Sequence, residues 1–154
     1  MLYNSHVNKN IGEMDKSVGR LLELLLRNDK ITGARLEAAC KTVNLTMAKF
    51  SALKVLVQSG EPVPLGQMAK HLFSVRSNAT QMVDRLAAEG LAQRVFDPTD
   101  RRTVLAQITE EGRQRYTACR QAIRDVEREL LEQFSLEERE QFISLLSRLD
   151  EMWS

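Results

Sequence analysis

Two clusters of polar side chains stand out by type and spacing. The first is Arg76, Ser77, Asn78, Thr80, Gln81 and Arg85. Asparagine and glutamine can bond adenine bidentately, arginine does the same to guanine, and serine and threonine reach phosphates or base edges. A merely solvated helix face would favour Glu- and Lys-rich helix formers, whereas Ser-Asn-x-Thr-Gln is poor helix surface and good groove chemistry. The second cluster is Asp100, Arg101 and Arg102. An arginine there suits phosphate or a narrow minor groove, where negative potential concentrates, and Asp100 can hydrogen-bond and orient it.

The elements that must position these groups follow from pattern. Residues 65–72 read as a short helix with Leu65, Met68, Ala69 and Leu72 inward. Phe73-Ser74 is the turn, and residues 75–89 form a second helix with Ala79, Met82, Val83 and Leu86 inward, stopped by Gly90. Residues 91–96 and 103–108 are rich in β-formers and flank a turn-prone segment, 97–102, so they read as a β-hairpin. Helix, turn, helix and a hairpin with an arginine tip make a winged helix. Its second helix suits the DNA major groove, and its hairpin reaches the backbone or the minor groove beside it.

The flanks are helical. Residues 1–15 are polar and ambiguous, an arm or an early helical turn. From Lys16, Val18, Leu21, Leu22, Leu25 and Leu26 recur at helical spacing, and after Thr32-Gly33 the pattern resumes through Leu36, Ala39, Cys40 and Val43. That predicts one long helix with a candidate kink at Gly33 and Asn44 in the C′ position. Thr46 is the expected N-cap of the next helix, with Phe50, Leu53, Leu56 and Val57 on one face and Gly60 closing it. Residues 61–64 read as a stiff connector. Thr109 caps a further helix whose first turn holds Glu110 and Glu111, near the positive end of its dipole. Along it, Tyr116, Cys119, Ile123, Val126, Leu130 and Phe134 form a nearly heptad seam. Ser135 and Glu138 make a capping box for the last helix, whose apolar stripe is Phe142, Leu145, Leu146, Leu149, Met152 and Trp153. The expected fold is mainly α with a small β-hairpin wing: a winged helix-turn-helix over 45–109, flanked by helical regions at 1–44 and 110–154.

Asp100-x-Arg102, five residues, then Ile108-Thr109-x-x-Gly112 resembles the D-x-R-x5-[LI]-T-x-x-G signature of the MarR family of transcription regulators. Met82-Val83-Asp84-Arg85-Leu86, followed by Glu89-Gly90-Leu91, looks like the end of that family's recognition helix. Asn44-Leu45-Thr46 resembles the G-L-T that opens its second helix, with Asn for Gly. The resemblance runs by motif from about Leu45 to Gly112 and by pattern alone in the flanks. It puts Arg76, Ser77, Asn78, Thr80 and Gln81 at the positions of the family's R-S-T-x-T-R run, from which Asn78 and Gln81 depart. Phe73 stands where Gly is usual and Val75 replaces the usual capping Ser, leaving Ser74 as a cap one residue early. Arg102 holds the family position for a minor-groove or phosphate contact, with Arg101 secondary. The resemblance also implies that the terminal helices of two chains interlock as a homodimer. A small aromatic or acidic effector, again by resemblance, binds between the dimerisation and DNA-binding parts.

Composition bounds these expectations. Hydrophobic residues make up 43% and charged residues 28% of the 154, ordinary values for a soluble globular chain. Net charge is only +1, which excludes a polycation and predicts a modest DNA footprint. Its distribution is uneven: residues 1–60 are net +4, 61–109 net +1 and 110–154 net −4. Between Pro62 and Val83 stand Lys70 and Arg76 and no acid. Apolar runs are short and the N-terminus has no signal-peptide pattern, so the expected location is cytoplasmic, with no membrane partner. Cys40 and Cys119 have no disulfide-framework or metal-ligand spacing and read as buried hydrophobes. His6 and His71 are isolated, so neither a metal nor a cofactor is expected. No phosphate-cradling glycine loop, H-E-x-x-H or G-x-S-x-G occurs, and no enzyme is expected.

The residues predict a protein that binds double-stranded DNA, and the resemblance implies a ligand-responsive regulator and repressor acting on an inverted repeat as a homodimer. Two rivals are a winged-helix protein–protein adaptor, in which Arg76 and Arg102 would be solvated surface, and a cysteine-based redox sensor.

Overall fold

The structure, a computed structural model, describes the backbone of residues 4–72, 75–100 and 102–153, and the side chains of these apart from 4–15, 76 and 153. The described elements are α1 (Asn4–Lys41), α2 (Met47–Ser59), β1 (Val63–Pro64), α3 (Leu65–His71), α4 (Arg76–Ala88), β2 (Ala92–Phe96), β3 (Val104–Ile108), α5 (Glu110–Gln133) and α6 (Leu136–Trp153). The chain divides into two compact units, Met1–Glu37 and Ala38–Ser154. Among the described residues no helix is long and apolar enough to cross a membrane.

Helix boundaries follow the local chemistry. α1 passes through Thr32-Gly33 as one helix. It ends in a Schellman motif: Asn44 has φ 57°, Leu45 N donates to Cys40 O (3.0 Å) and Asn44 N to Lys41 O (3.1 Å). Thr46 then caps α2, its hydroxyl accepting from Lys49 N at 3.2 Å. A second Schellman motif closes α4. Gly90 takes φ 72°, which glycine adopts without a Cβ penalty, while Leu91 N donates to Leu86 O (2.8 Å) and Gly90 N to Ala87 O (3.0 Å). Leu86 and Leu91, the positions whose side chains pair in that motif, are both fully buried.

The core of the second unit lies under α2, α3, α4 and the sheet. Leu45, Leu53, Leu56, Met68, Val83, Leu86 and Leu91 are each at most 2% exposed, and burying one such side chain contributes roughly 1.5–3 kcal/mol. Ala79 and Val83 face inward from α4 as expected, with Met82 half-buried. Phe50 of α2 stacks on Tyr116 of α5, ring centroids 5.2 Å apart. The expected capping box is formed in full: Ser135 N donates to Glu138 Oε2 (2.8 Å) and Glu138 N to Ser135 Oγ (3.2 Å).

The sheet corrects one expectation. Residues 63–64 are not simply a connector but strand β1, which pairs antiparallel with β3 (Val63 opposite Ala106, Pro64 opposite Leu105). The wing is thus part of a three-stranded sheet in the order β1-β3-β2. One valine between Pro62 and Pro64 carries no period-2 signal, and a proline lacking its N–H is tolerated only on an edge strand, which β1 is. β2 pairs with β3 from Ala92 opposite Ile108 to Phe96 opposite Val104.

Long apolar stretches stay exposed. Along α6, Phe142 is 55%, Ile143 63%, Leu145 57% and Met152 66% exposed. The outer part of the α5 seam behaves likewise: Cys119 and Ile123 are buried, but Leu130 and Phe134 are 50% and 45% exposed. In the first unit, Val18, Leu21, Leu22 and Leu26 are all exposed.

Candidate nucleic-acid interface

α4 presents the expected polar face. Ser77, Asn78, Gln81 and Arg85 are exposed and Thr80 is half-buried, opposite the inward Ala79, Val83 and Leu86. Arg76 opens the helix, though its side chain is outside the described set. Val75 is the N-cap and makes no side-chain cap bond. The expected turn residues Phe73 and Ser74, including Ser74's capping role, lie outside the described residues. The positive end of a helix dipole at an N-terminus is favourable to phosphate. The neighbouring α3 ends in Lys70 and His71.

Two ion pairs that sequence reasoning missed hold α4 from either side. Arg94 of β2 reaches Asp84 at 2.5 Å, tying α4 to the wing. Lys49 of α2 pairs with Glu89 at the C-cap of α4. Both are partly exposed and worth little in stability. Their partners lie 10 and 40 residues apart, beyond any local spacing rule. Arg94 is therefore engaged with the protein.

At the wing, the tip is wrapped around two carboxylates. Asp97 Oδ1 accepts from Thr99 N (2.8 Å), Thr99 Oγ1 (2.6 Å) and Asp100 N (3.3 Å), an Asx turn. Asp100 Oδ1 accepts from the backbone N of Arg102 (3.0 Å) and its Oδ2 from Thr103 Oγ1 (2.8 Å). Asp100 thus orients Arg102 through the main chain, leaving the exposed guanidinium at the tip. Arg101 lies outside the described residues. The Asp-Pro-Thr-Asp string was the available signal for Asp97 and Thr99.

The Thr99 hydroxyl, then the Thr99 and Asp100 amides, hold the Asp97 carboxyl below its usual 3.8. Because the folded value is the lower one, ionised Asp97 favours the turn above pH 3.8, and that support is lost as pH falls through the depressed value. An NMR titration should find the Asp97 carboxyl carbon and the Thr99 amide moving together below pH 3.8, and Asp97→Asn should abolish the step. Titration at the ordinary value would contradict this turn.

The wing is anchored to α5 by the Ile-Thr-x-x-Gly string. Thr109 Oγ1 donates to Gly90 O (2.6 Å) and accepts from Gly112 N (3.0 Å). Thr109 N donates to Leu91 O at 3.2 Å. A Cβ on Gly112 would lie 2.0 Å from that same Leu91 oxygen.

The MarR family model matches residues 45–104, which hold α2 to the start of β3. HTH-type transcriptional regulator MhqR of Bacillus subtilis is 37% identical over 68 residues, 44% of this chain and 46% of its own length. The match thus spans about half of that relative. HTH-type transcriptional regulator PecS of Dickeya dadantii is 26% identical over 140 residues, 90% of this chain and 84% of its own. Among solved structures, the transcriptional repressor CouR bound to a 23-mer DNA duplex is 26% identical with a TM-score of 0.73, covering 91% of this chain and 96% of that one. The α3–α4 helix pair, the three-stranded wing and the T-x-x-G lock of this chain agree with these matches: over residues 45–104 the chain is similar to the MarR family of transcription regulators.

Proposed function

We propose that the protein is a homodimeric, effector-responsive repressor that binds double-stranded DNA at an inverted repeat. The observation carrying DNA binding is the pairing of an exposed Ser77-Asn78-Thr80-Gln81-Arg85 face with an exposed Arg102 at a turn built to hold it. In this reading Asn78 and Gln81, with Arg76 and Arg85, touch base edges. Ser77 and Thr80 reach phosphates or base edges, Arg102 lies on phosphate or in the adjacent minor groove, with Arg101 secondary, and Asp100 orients Arg102. CouR's duplex-bound state supports the partner class.

The dimer reading rests on the exposed apolar faces of α1, α5 and α6, which are too extensive to leave in water. Residues 1–44 and 110–154 would supply it, with 45–109 as the DNA-binding part. For the effector, an open cleft of about 330 Å³ lined by Val43, Asn44, Glu111, Gln114, Arg115 and Ala118 offers a cationic handle. Arg115 there bonds Glu111 and Val43 O, so an acidic effector would compete with Glu111 for its guanidinium.

The test is binding of parent, Gln81→Ala and Arg102→Ala to DNA upstream of the gene and to scrambled DNA across a salt series. Gln81→Ala should cost roughly 1–3 kcal/mol and relax preference at one base pair per half-site. Arg102→Ala should weaken all sequences alike and reduce the salt slope by about 0.9 per phosphate contact, hence roughly 1.8 for a dimer using both wings. Unchanged binding by a folded Arg102→Ala protein removes the wing from the interface. Salt-independent binding by the parent favours a protein–protein adaptor.

A further inference from the structure

We infer that Cys40, Cys119 and Met47 form a binding site for a soft monovalent d10 cation, Cu(I) being the biological candidate. Cys40 Sγ lies 3.1 Å from Cys119 Sγ and 3.3 Å from Met47 Sδ. Cys40 Sγ thus lies beside two further sulfurs, from α2 and α5, although their positions in sequence give no ligand spacing. The local folding explains it. The Schellman turn at Asn44 and the Thr46 cap reverse the chain within a few residues, returning Met47 beside Cys40. α5 then brings Cys119 against Cys40.

The chemistry of the donors selects the ion. Thiolate and thioether sulfur favour Cu(I) over hard cations. Structural Zn(II) takes four Cys, His or carboxylate donors, and among the described residues no group of three or more such side chains is placed to hold a metal. With metal–sulfur bonds of roughly 2.3 Å, three sulfurs around one ion stand about 4 Å apart. Each measured pair must therefore open by less than about 1 Å, a change that side-chain torsions can supply.

Charge and access fit as well. Cys40 and Cys119 are fully buried, where an unpaired charge would be costly. Metal-bound cysteine is thiolate, so Cu(I) displaces the protons of both thiols, which leave to solvent, and no electron is transferred; two thiolates around one monovalent ion leave a single net negative charge. The positive end of the α2 dipole begins at Met47 and favours the thiolate. Met47 is half-buried and forms the entry side.

The experiment titrates the reduced 154-residue chain anaerobically with Cu(I) against a chromophoric Cu(I) chelator, followed by X-ray absorption. Expected are one ion withheld per chain and an all-sulfur shell. Cys40→Ser and Cys119→Ser should each weaken binding by at least roughly 100-fold and Met47→Leu by roughly tenfold, with circular dichroism unchanged. Alanine replaces serine wherever the serine variant does not fold, and the absorption spectrum of the parent reads the donors without any variant. The site is overturned if the parent retains no copper against the chelator or the double cysteine variant retains as much as the parent. It is equally overturned by a nitrogen or oxygen shell, or by the loss of two titratable thiols after copper removal, which would mark a disulfide instead.

Discussion

Gly112→Ala is expected to destabilise the winged helix by roughly 3 kcal/mol or more, or to prevent folding. Two effects oppose each other. Alanine in place of a helical glycine gains about 1 kcal/mol of helix propensity. Against that, the new methyl would lie 2.0 Å from Leu91 O and 2.9 Å from Ile108 Cγ1, far inside contact distance. Leu91 O is main chain and already accepts from Thr109 N, so it cannot move aside without breaking the junction of α4, the wing and α5. Sterics win. Gly33→Ala is the control: nothing lies within 4 Å of its Cβ position, so it should be neutral or stabilising by up to about 1 kcal/mol. Thermal unfolding of the two variants checks the pair, and equal melting temperatures would contradict the close approach at Leu91.

Removal of residues 142–154 is expected to abolish the dimer. Most of the apolar side chains lost, Phe142, Ile143, Leu145, Leu146 and Met152, are exposed on the single chain, so truncation removes little of its internal core. Phe142 does stack on Phe134, centroids 6.3 Å apart, which would loosen the α5–α6 junction. On the dimer reading those same side chains are the interface, and an apolar interface loses its driving force with its area. Sedimentation at micromolar protein should show a dimer for the parent and a monomer or unfolded chain for the truncation. DNA affinity should fall steeply, because two half-sites are no longer bound by one molecule. A folded monomer that binds the operator as tightly as the parent would overturn the interlocked-helix arrangement.

The sequence by itself determined everything set by local chemistry. Thr46, Thr109 and Ser135 with Glu138 cap their helices as their types predict, and Asn44 and Gly90 take the left-handed angles that end α1 and α4. Period-3.6 and period-2 patterns placed α2 to α5 and the wing, because burial on one face imposes those periods. The polar face of α4 and the arginine at the wing tip were legible for the same reason. What only the tertiary structure decided were the contacts between residues distant in sequence. Strand β1 exists because β3 offers it an edge, not because Val63-Pro64 favours a strand. The ion pairs from Arg94 to Asp84 and from Lys49 to Glu89 depend on the placement of whole elements. Gly112 is required because Leu91 O, 21 positions away, lies against it, which no local spacing shows. Cys40 and Cys119, 79 positions apart, were read as separate hydrophobes, and only the packing of α5 beside the α1–α2 turn brought their sulfurs to 3.1 Å. Local rules act over a few residues, whereas these contacts are fixed by how several elements pack at once.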